Sequence, residues 1–203
     1  MMTRIKVSGG IVAALVLAAC SGDPVTTYQW VDWTEVSETE ATGNVGRIEV
    51  TYTGELNKNS HTGDDGRRNE WGVHPATFTF EEQVSAPEIS DALRTVGGDE
   101  TGEQVISFSH PVEDPIIAIL SLGGSGGPAF IVFEKEIEVL TTGAGPWGNG
   151  PFYVSQGEPL AINGQEGNGL IRIPGIHDHI KFTTPRYETD YGYQFAIREP
   201  AQN

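Results

Sequence analysis

The fold is decided by a stretch near the middle of the chain, Ile116-Ile-Ala-Ile-Leu120. All five residues are apolar, so an extended strand formed here would be apolar on both of its faces. Such a strand is stable only when other elements cover it on both sides. We therefore expect residues 116–120 to form a central strand of a sheet.

The segments around this stretch show the period of two that is typical of half-buried strands. Ile48, Val50 and Tyr52 alternate with polar residues, and the same period recurs at 78–80 and at Tyr191–Ile197. In each case we expect one face on a core and the other in water. Further candidate strands lie between glycine-rich turns, at 25–33, 104–109, 129–140, 169–174 and 177–184.

About nine or ten short strands with this spacing predict an all-β fold, a single antiparallel β-sandwich of the jelly-roll kind. One short helix is predicted at residues 85–95. There Ser85 and Glu88 have capping-box spacing, and Pro87 suits the first helical turn.

Residues 1–19 are interpreted as a targeting segment. Arg4 and Lys6 precede an apolar run at 11–19, which is shorter than the roughly 20 residues that a membrane-spanning helix needs. The run ends in Leu17-Ala-Ala-Cys20, which resembles the lipobox of bacterial lipoproteins. The resemblance implies cleavage before Cys20 and attachment of lipid to that residue. We thus divide the chain into a signal peptide (1–19), a lipidated tether (20–27) and a β-sandwich domain (28–203).

The same resemblance predicts where the protein is found. In lipoproteins an aspartate after the lipidated cysteine favours the inner membrane, and Ser21 stands at that position here. We expect a cell-envelope protein that is anchored through its N-terminal lipid, in the outer membrane of a Gram-negative bacterium.

Composition excludes some classes of function. The formal net charge is −16, from 28 acidic and 12 basic residues, so binding to nucleic acid through clustered cations is excluded. Anionic lipid headgroups would repel this surface, so we expect the protein to hang from its lipid. The single cysteine excludes an internal disulfide and a zinc site built on several thiolates.

A series of short motifs recurs in a familiar order between residues 85 and 198. The series includes Ile106-Ser-Phe-Ser-His-Pro-Val-Glu-Asp-Pro115, Ala118-Ile-Leu-Ser-Leu-Gly123, Gly145-Pro-Trp-Gly148, Glu166-Gly-Asn-Gly169 and Tyr191-Gly192. It resembles the extracellular β-sandwich domain of exported bacterial proteins of the PEP-CTERM type. The resemblance implies fold and export, and it assigns no catalytic residue. No Pro-Glu-Pro motif, apolar helix or basic tail follows Arg198, so the N-terminal lipid is the expected anchor.

Four residues form the predicted ligand-binding set. Trp71, Trp147 and Tyr153 lie in or beside glycine-rich loops, where aromatic rings can stack on the apolar faces of sugars, and Glu166 would bind sugar hydroxyls. The alternative is that these rings fill the ends of the core. Trp147 is the preferred stacking residue, because the glycines around it would leave its face open.

Two patterns are candidates for metal binding. On a regular strand, His177 and His179 would point to one side, as two imidazole ligands of one metal do; the alternative is a solvent-facing pair. Asp64 and Asp65 lie in a polar loop where oxygen ligands could hold calcium. The alternative there is a surface loop, since the full EF-hand pattern is absent and Arg67 and Arg68 follow.

The resulting functional hypothesis is a binding or structural module of the cell envelope, with a carbohydrate or matrix ligand. One alternative is a hydrolase or lyase acting on an envelope polysaccharide. Another is a subunit of a surface assembly, with a surface protein as partner. No catalytic residue is singled out, because the chain has no Gly-x-Ser-x-Gly elbow and Cys20 is committed to lipid.

Overall fold

The computed structural model describes residues 27–63, 66–98, 102–124, 126–155, 158–187 and 190–200. Cys20, Asp64 and Asp65 lie outside these residues. The described strands are β1 (Gln29–Trp30), β2 (Asp32–Val36), β3 (Glu40–Val45), β4 (Ile48–Thr53), β5 (Leu93–Thr95), β6 (Glu103–Glu113), β7 (Ile116–Leu122), β8 (Ala129–Phe133), β9 (Glu138–Gly143), β10 (Phe152–Ser155), β11 (Glu158–Gly164), β12 (Gly167–Arg172), β13 (Ile176–Thr183) and β14 (Tyr191–Ile197). Two 3-10 helices lie between β4 and β5, at Trp71–Val73 and Pro75–Phe78.

The strands form two antiparallel sheets, so the predicted all-β sandwich is confirmed. The first sheet has the order β1-β14-β7-β12-β9, with β5 paired to β14. The second has the order β10-β11-β8-β13-β6-β4-β3-β2. Apolar side chains from both sheets form one core between them; Phe182 of β13, for example, packs edge-to-face on Tyr193 of β14, with ring centroids 5.5 Å apart.

Strand β7 is buried along its whole length, as its apolar sequence predicts. Ile117 and Ile119 face the core between the sheets, whereas Ile116, Ala118 and Leu120 belong to a second apolar cluster. Both faces of the central strand are therefore covered.

The second cluster is formed by the segment that contains the 3-10 helices. Trp71 and Phe78 are completely buried in it and pack edge-to-face at 5.1 Å. The predicted strand at 78–80 is therefore wrong. Pro75 starts a 3-10 turn that brings Phe78 onto the outer face of β7. Phe78 and Phe80 are therefore apolar because they pack on this cluster, and not because they alternate along a strand.

The predicted helix at 85–95 is also wrong. The segment has extended and bend conformations, and its last three residues form β5. Asp91 is fully buried, and its carboxylate accepts hydrogen bonds from the backbone N–H groups of Trp33 (2.8 Å) and Gly63. These long-range bonds replace the local capping pattern on which the prediction depends.

The strands with alternating sequence differ in whether the face away from the core meets water. In β4 the prediction is confirmed, since Ile48, Val50 and Tyr52 are buried and Glu49 is exposed. Every residue of β14 is buried, so the expectation that one of its faces meets water is wrong. Its polar residue Gln194 is satisfied internally: Trp33 Nε1–H donates to Gln194 Oε1 at 2.9 Å, and Gln194 Nε2 donates to a backbone carbonyl.

Candidate functional site

The loop that carries Trp147 connects β9 to β10. The backbone N–H of Gly145 donates to the carbonyl of Gly148 at 2.7 Å, which closes a tight turn with Trp147 near its tip. The buried side chain of Asn168 holds this turn from beneath. It donates to the carbonyl of Gly148 at 3.3 Å and accepts from the backbone N–H of Ser121 at 2.8 Å. The loop is thus fixed to β7 and β12.

The glycines of this loop serve close packing. A Cβ atom at Gly145 would overlap the amide of Asn168, and one at Gly148 would lie 2.6 Å from Glu166 Cβ. Glycine lets the loop lie directly against residues 166–168. This differs from the sequence-based reason for these glycines, which was to leave the face of Trp147 open.

Trp147 is nevertheless an exposed ring, with 52% of its surface accessible. The guanidinium of Arg94 lies over the ring, with Cζ 5.2 Å from the ring centroid. A cation at this distance is attracted to the face of the indole. One side of the ring is thereby held, and about half of the residue remains available for contact.

Arg94 is positioned by β5. It is only 3% exposed and forms an ion pair with Glu70. Burial lowers the pKa of Arg94, while the nearby carboxylate of Asp190 opposes that shift. An arginine pKa starts so far above neutrality that the guanidinium remains charged. A buried cation therefore lies directly beneath the exposed ring.

Glu166 lies against the Trp147 loop, so the structure brings two of the predicted ligand-binding residues together. Its Oε2 atom accepts a 2.6 Å hydrogen bond from the hydroxyl of Ser121. Glu166 and Ser121 both have positive φ angles, of 56° and 59°. Non-glycine residues rarely adopt this conformation, and such strain is concentrated at functional sites. One carboxylate oxygen of Glu166 is thus bonded to β7.

The other two predicted aromatic residues lie elsewhere. Trp71 is 0% exposed and donates from Nε1 to the carbonyl of Asp91 at 2.9 Å. Its prediction as a stacking residue is wrong; it fills the core, which was the stated alternative. Tyr153 is 48% exposed but lies on the edge strand β10, where it lines a separate hollow with Ser155 and Asn163.

The predicted pairing of His177 and His179 is wrong. His177 is buried and lies within 3.0 Å of the carbonyl of Pro174, whereas His179 is exposed and contacts Asp178. A bulge separates them: His177 pairs with Val112 and His179 with Ser107, so residues 108–111 of β6 lie opposite one residue of β13. Within the described residues, no group of three or more His, Cys, Asp or Glu side chains could hold a metal ion.

Sequence reasoning missed a hollow beside Trp147, which we call the arginine hollow. It has a volume of about 310 Å³, and its lining includes Arg67, Arg68, Arg94, His61, Glu70 and Asp190. These residues come from segments 59–61 and 67–70, from β5 and from the residue before β14. No local motif links them, because only the paired strands bring the three segments together.

The two carboxylates of the arginine hollow already have partners. Glu70 forms the ion pair with Arg94, and Asp190 accepts hydrogen bonds from the side-chain amides of Asn57 and Asn59, each at 3.0 Å. These contacts hold the wall of the hollow in place. The described lining thus carries three arginines against two carboxylates.

A wider hollow of about 1200 Å³ lies between the β2–β3 connection and residues 53–60. Its described lining contains no aromatic ring, and Glu55 is engaged by the hydroxyl of Thr95 and the backbone N–H of Val96. We prefer the smaller hollow, because an exposed ring and a concentration of charge meet there.

Comparisons of the chain with family models, with curated proteins and with solved structures found no match. In the described part of the chain, no helix has the length and apolar character needed to cross a membrane.

Proposed function

We propose that this protein is a non-catalytic carbohydrate-binding module of the cell envelope and that Trp147 is its stacking residue. The observation that carries the proposal is the exposure of Trp147 on a loop that is otherwise fixed by buried contacts. Sugar rings present apolar C–H faces, and an exposed indole offers a flat surface to stack against them.

The position of Trp147 supports this function energetically. Binding costs free energy when it immobilises a side chain that is mobile in the free protein. Arg94 and the glycine turn hold the indole before any ligand arrives. A sugar that stacks on the ring therefore loses little of its binding energy to ordering the protein.

The envelope location is proposed from the sequence alone. The lipobox-like segment that ends at Cys20 predicts a lipid anchor, and the motif series at 85–198 resembles exported PEP-CTERM-type domains. Both remain predictions. A lipid-anchored sandwich would present its loops to polysaccharide or to a surface protein at the membrane.

The test is binding of the purified full chain to an array of neutral and acidic polysaccharides. Trp147→Ala should abolish binding, whereas Trp147→Phe, which keeps a ring, should retain part of it. Tyr153→Ala is the matched control, because it removes a similarly exposed ring from a different hollow. Wild-type protein that binds no glycan, or a Trp147→Ala variant that binds normally, would refute the proposal.

A further inference from the structure

We propose that the arginine hollow binds an oxyanion carried on the sugar, so that the ligand is an acidic saccharide with a carboxylate or sulfate group. This inference rests on the proposed function of Trp147 and names the class of its ligand. The hollow and the ring are joined by one residue, since Arg94 lines the hollow and also lies over Trp147.

The first argument is an unpaired buried donor. Arg94 is only 3% exposed, and its Nη1 atom is buried and has no hydrogen-bond partner among the described residues. Buried polar atoms almost always have a partner, and an unpaired hydrogen-bonding group on a charged side chain is especially costly. The partner of Nη1 is therefore expected from outside the chain, as an oxyanion that reaches it when the hollow opens.

The second argument is an unpaired buried nitrogen in the same hollow. His61 is 8% exposed, and its Nδ1 atom lies 2.9 Å from the carbonyl oxygen of Asn59 and 3.4 Å from Nη1 of Arg67. Its Nε2 atom is buried and has no partner in the described structure. A sugar hydroxyl both donates and accepts hydrogen bonds, so it can pair with this nitrogen in either tautomer of the ring. A donor for an oxyanion and a nitrogen for a hydroxyl thus line one hollow.

The third argument is the local excess of positive charge. Arg4 and Lys6 precede Cys20, so ten of the 12 Lys and Arg residues follow it, and three of these ten line the hollow. Two carboxylates accompany them, Glu70 and Asp190, which leaves one net positive charge on the described lining. In a chain of net charge −16, this hollow is a favourable place for an anion.

The ligand must displace a side chain to reach the floor of the hollow. Nη1 of Arg94 and Nε2 of His61 are both covered in the free protein. Arg68 is exposed, lines the hollow and forms no hydrogen bond or ion pair with the described residues. Arg68 therefore has the freedom to turn towards an incoming carboxylate or sulfate, and arginine binds such groups through two parallel N–H donors.

The experiment compares probes that differ only in the charged group. The full chain is titrated at 0.15 M salt (about physiological ionic strength) with polygalacturonate and its methyl ester, and with dextran sulfate and dextran. We expect an acidic probe to bind at least about tenfold more tightly than its neutral counterpart, as one charge-assisted contact requires. The first pair tests a carboxylate and the second tests a sulfate.

Two variants carry the same charge change. Arg68→Gln should weaken binding of the acidic probe several-fold and leave binding of the neutral probe unchanged. Lys135→Gln is the matched control, because Lys135 is exposed in the turn after β8, away from the hollow lining. Arg94→Lys keeps the charge but shortens the donor, and it should also weaken the acidic probe; its folding is checked by thermal unfolding.

The outcomes separate this inference from the function on which it rests. Equal binding of acidic and neutral probes, with both lost in Trp147→Ala, would overturn the oxyanion site and leave the carbohydrate module intact. Acidic binding that Arg68→Gln and Lys135→Gln reduce equally would also overturn the site. Loss of acidic binding in Arg68→Gln but not in Trp147→Ala would support the arginine hollow and overturn stacking on Trp147.

Discussion

Replacing Trp147 by alanine should destabilise the protein much less than replacing Trp71 by alanine. Trp147 is 52% exposed, and Trp71 is 0% exposed. Full burial of an aromatic side chain removes roughly 150–250 Å² of its surface from water. Trp147 buries slightly less than half of its surface, so Trp147→Ala removes roughly 70–120 Å² of buried area. At about 25 cal/mol per Å², the loss is about 2–3 kcal/mol, and residual burial in the unfolded chain lowers it to about 1–2.5 kcal/mol.

The loss at Trp71 is larger for two reasons. Truncating a fully buried aromatic residue costs about 3–5 kcal/mol, because a cavity remains in the core. The carbonyl of Asp91 also loses its hydrogen bond from Trp71 Nε1 and stays buried without a partner, which adds about 1 kcal/mol or more. The two free energies of unfolding should therefore differ by about 2 kcal/mol or more.

Urea unfolding of the full chain, followed by the fluorescence of the remaining tryptophans, measures both values. Trp147→Phe serves as the control, since it keeps a ring over Arg94 and should lose less stability than Trp147→Ala. If Trp147→Ala and Trp71→Ala lower the free energy of unfolding equally, Trp147 fills the core and the argument for a stacking site fails.

Three further predictions concern the scaffold and the anchor. Gly169→Ala should cost about 3 kcal/mol, because the new Cβ would overlap the backbone carbonyl oxygen of Thr141 and lie 2.8 Å from the Phe152 ring. Gly126→Ala, with no atom within 4 Å of its Cβ, should stay within about 0.5 kcal/mol of wild type in thermal melts. Burial raises the pKa of Asp91 above its usual value, against the opposing effect of its backbone hydrogen bonds, so the folded state binds the proton more tightly than the unfolded state. Wild type should then gain stability relative to Asp91→Asn as pH falls from 7 towards 4, and the opposite slope in urea titrations would contradict this assignment. Cys20→Ala should remove labelling by radioactive palmitate, and a wild-type protein that takes up no label would refute the lipid anchor.

The sequence predicts those strands whose pattern reflects burial directly. The apolar run at 116–120 identifies β7 as a strand covered on both faces, and the alternation at Ile48, Val50 and Tyr52 gives the inward face of β4. Both predictions concern which side chains are buried, and burial is the property that a hydrophobic pattern indicates. The pattern does not report what covers a face, so it misses the segment with Trp71 and Phe78 that packs on β7.

Local patterns fail where distant contacts replace local ones. The capping box at Ser85 and Glu88 favours a helix, but Asp91 is held by backbone donors from two other segments and the end of the region pairs with β14. The histidine pair fails because four residues of β6 bulge opposite it. Pro111 lies in that bulge and has no N–H for the ladder, so a proline two residues after the predicted strand at 104–109 is the sequence signal for irregular pairing there.

The arginine hollow could not be predicted, because its charge depends on which cations and carboxylates folding brings together. Elsewhere in the described chain, Arg47 pairs with Glu199, Arg172 with Glu138 and Lys181 with Glu103. These pairs neutralise the surface locally and add no attraction for an anion. In the hollow, three arginines meet two carboxylates that hold its wall.

The surrounding negative charge determines which anions the hollow can accept. At physiological ionic strength, exposed charges more than about 8 Å away are largely screened, whereas a contact with a buried guanidinium is screened much less. In the proposed complex, an acidic saccharide would therefore be repelled weakly by the distant carboxylates and attracted by Arg94 and its neighbours once it enters. A ligand that also stacked on Trp147 would gain apolar contact at the same place. Small inorganic ions lack a face for the indole, so the proposal predicts that acidic sugars bind more tightly than such ions.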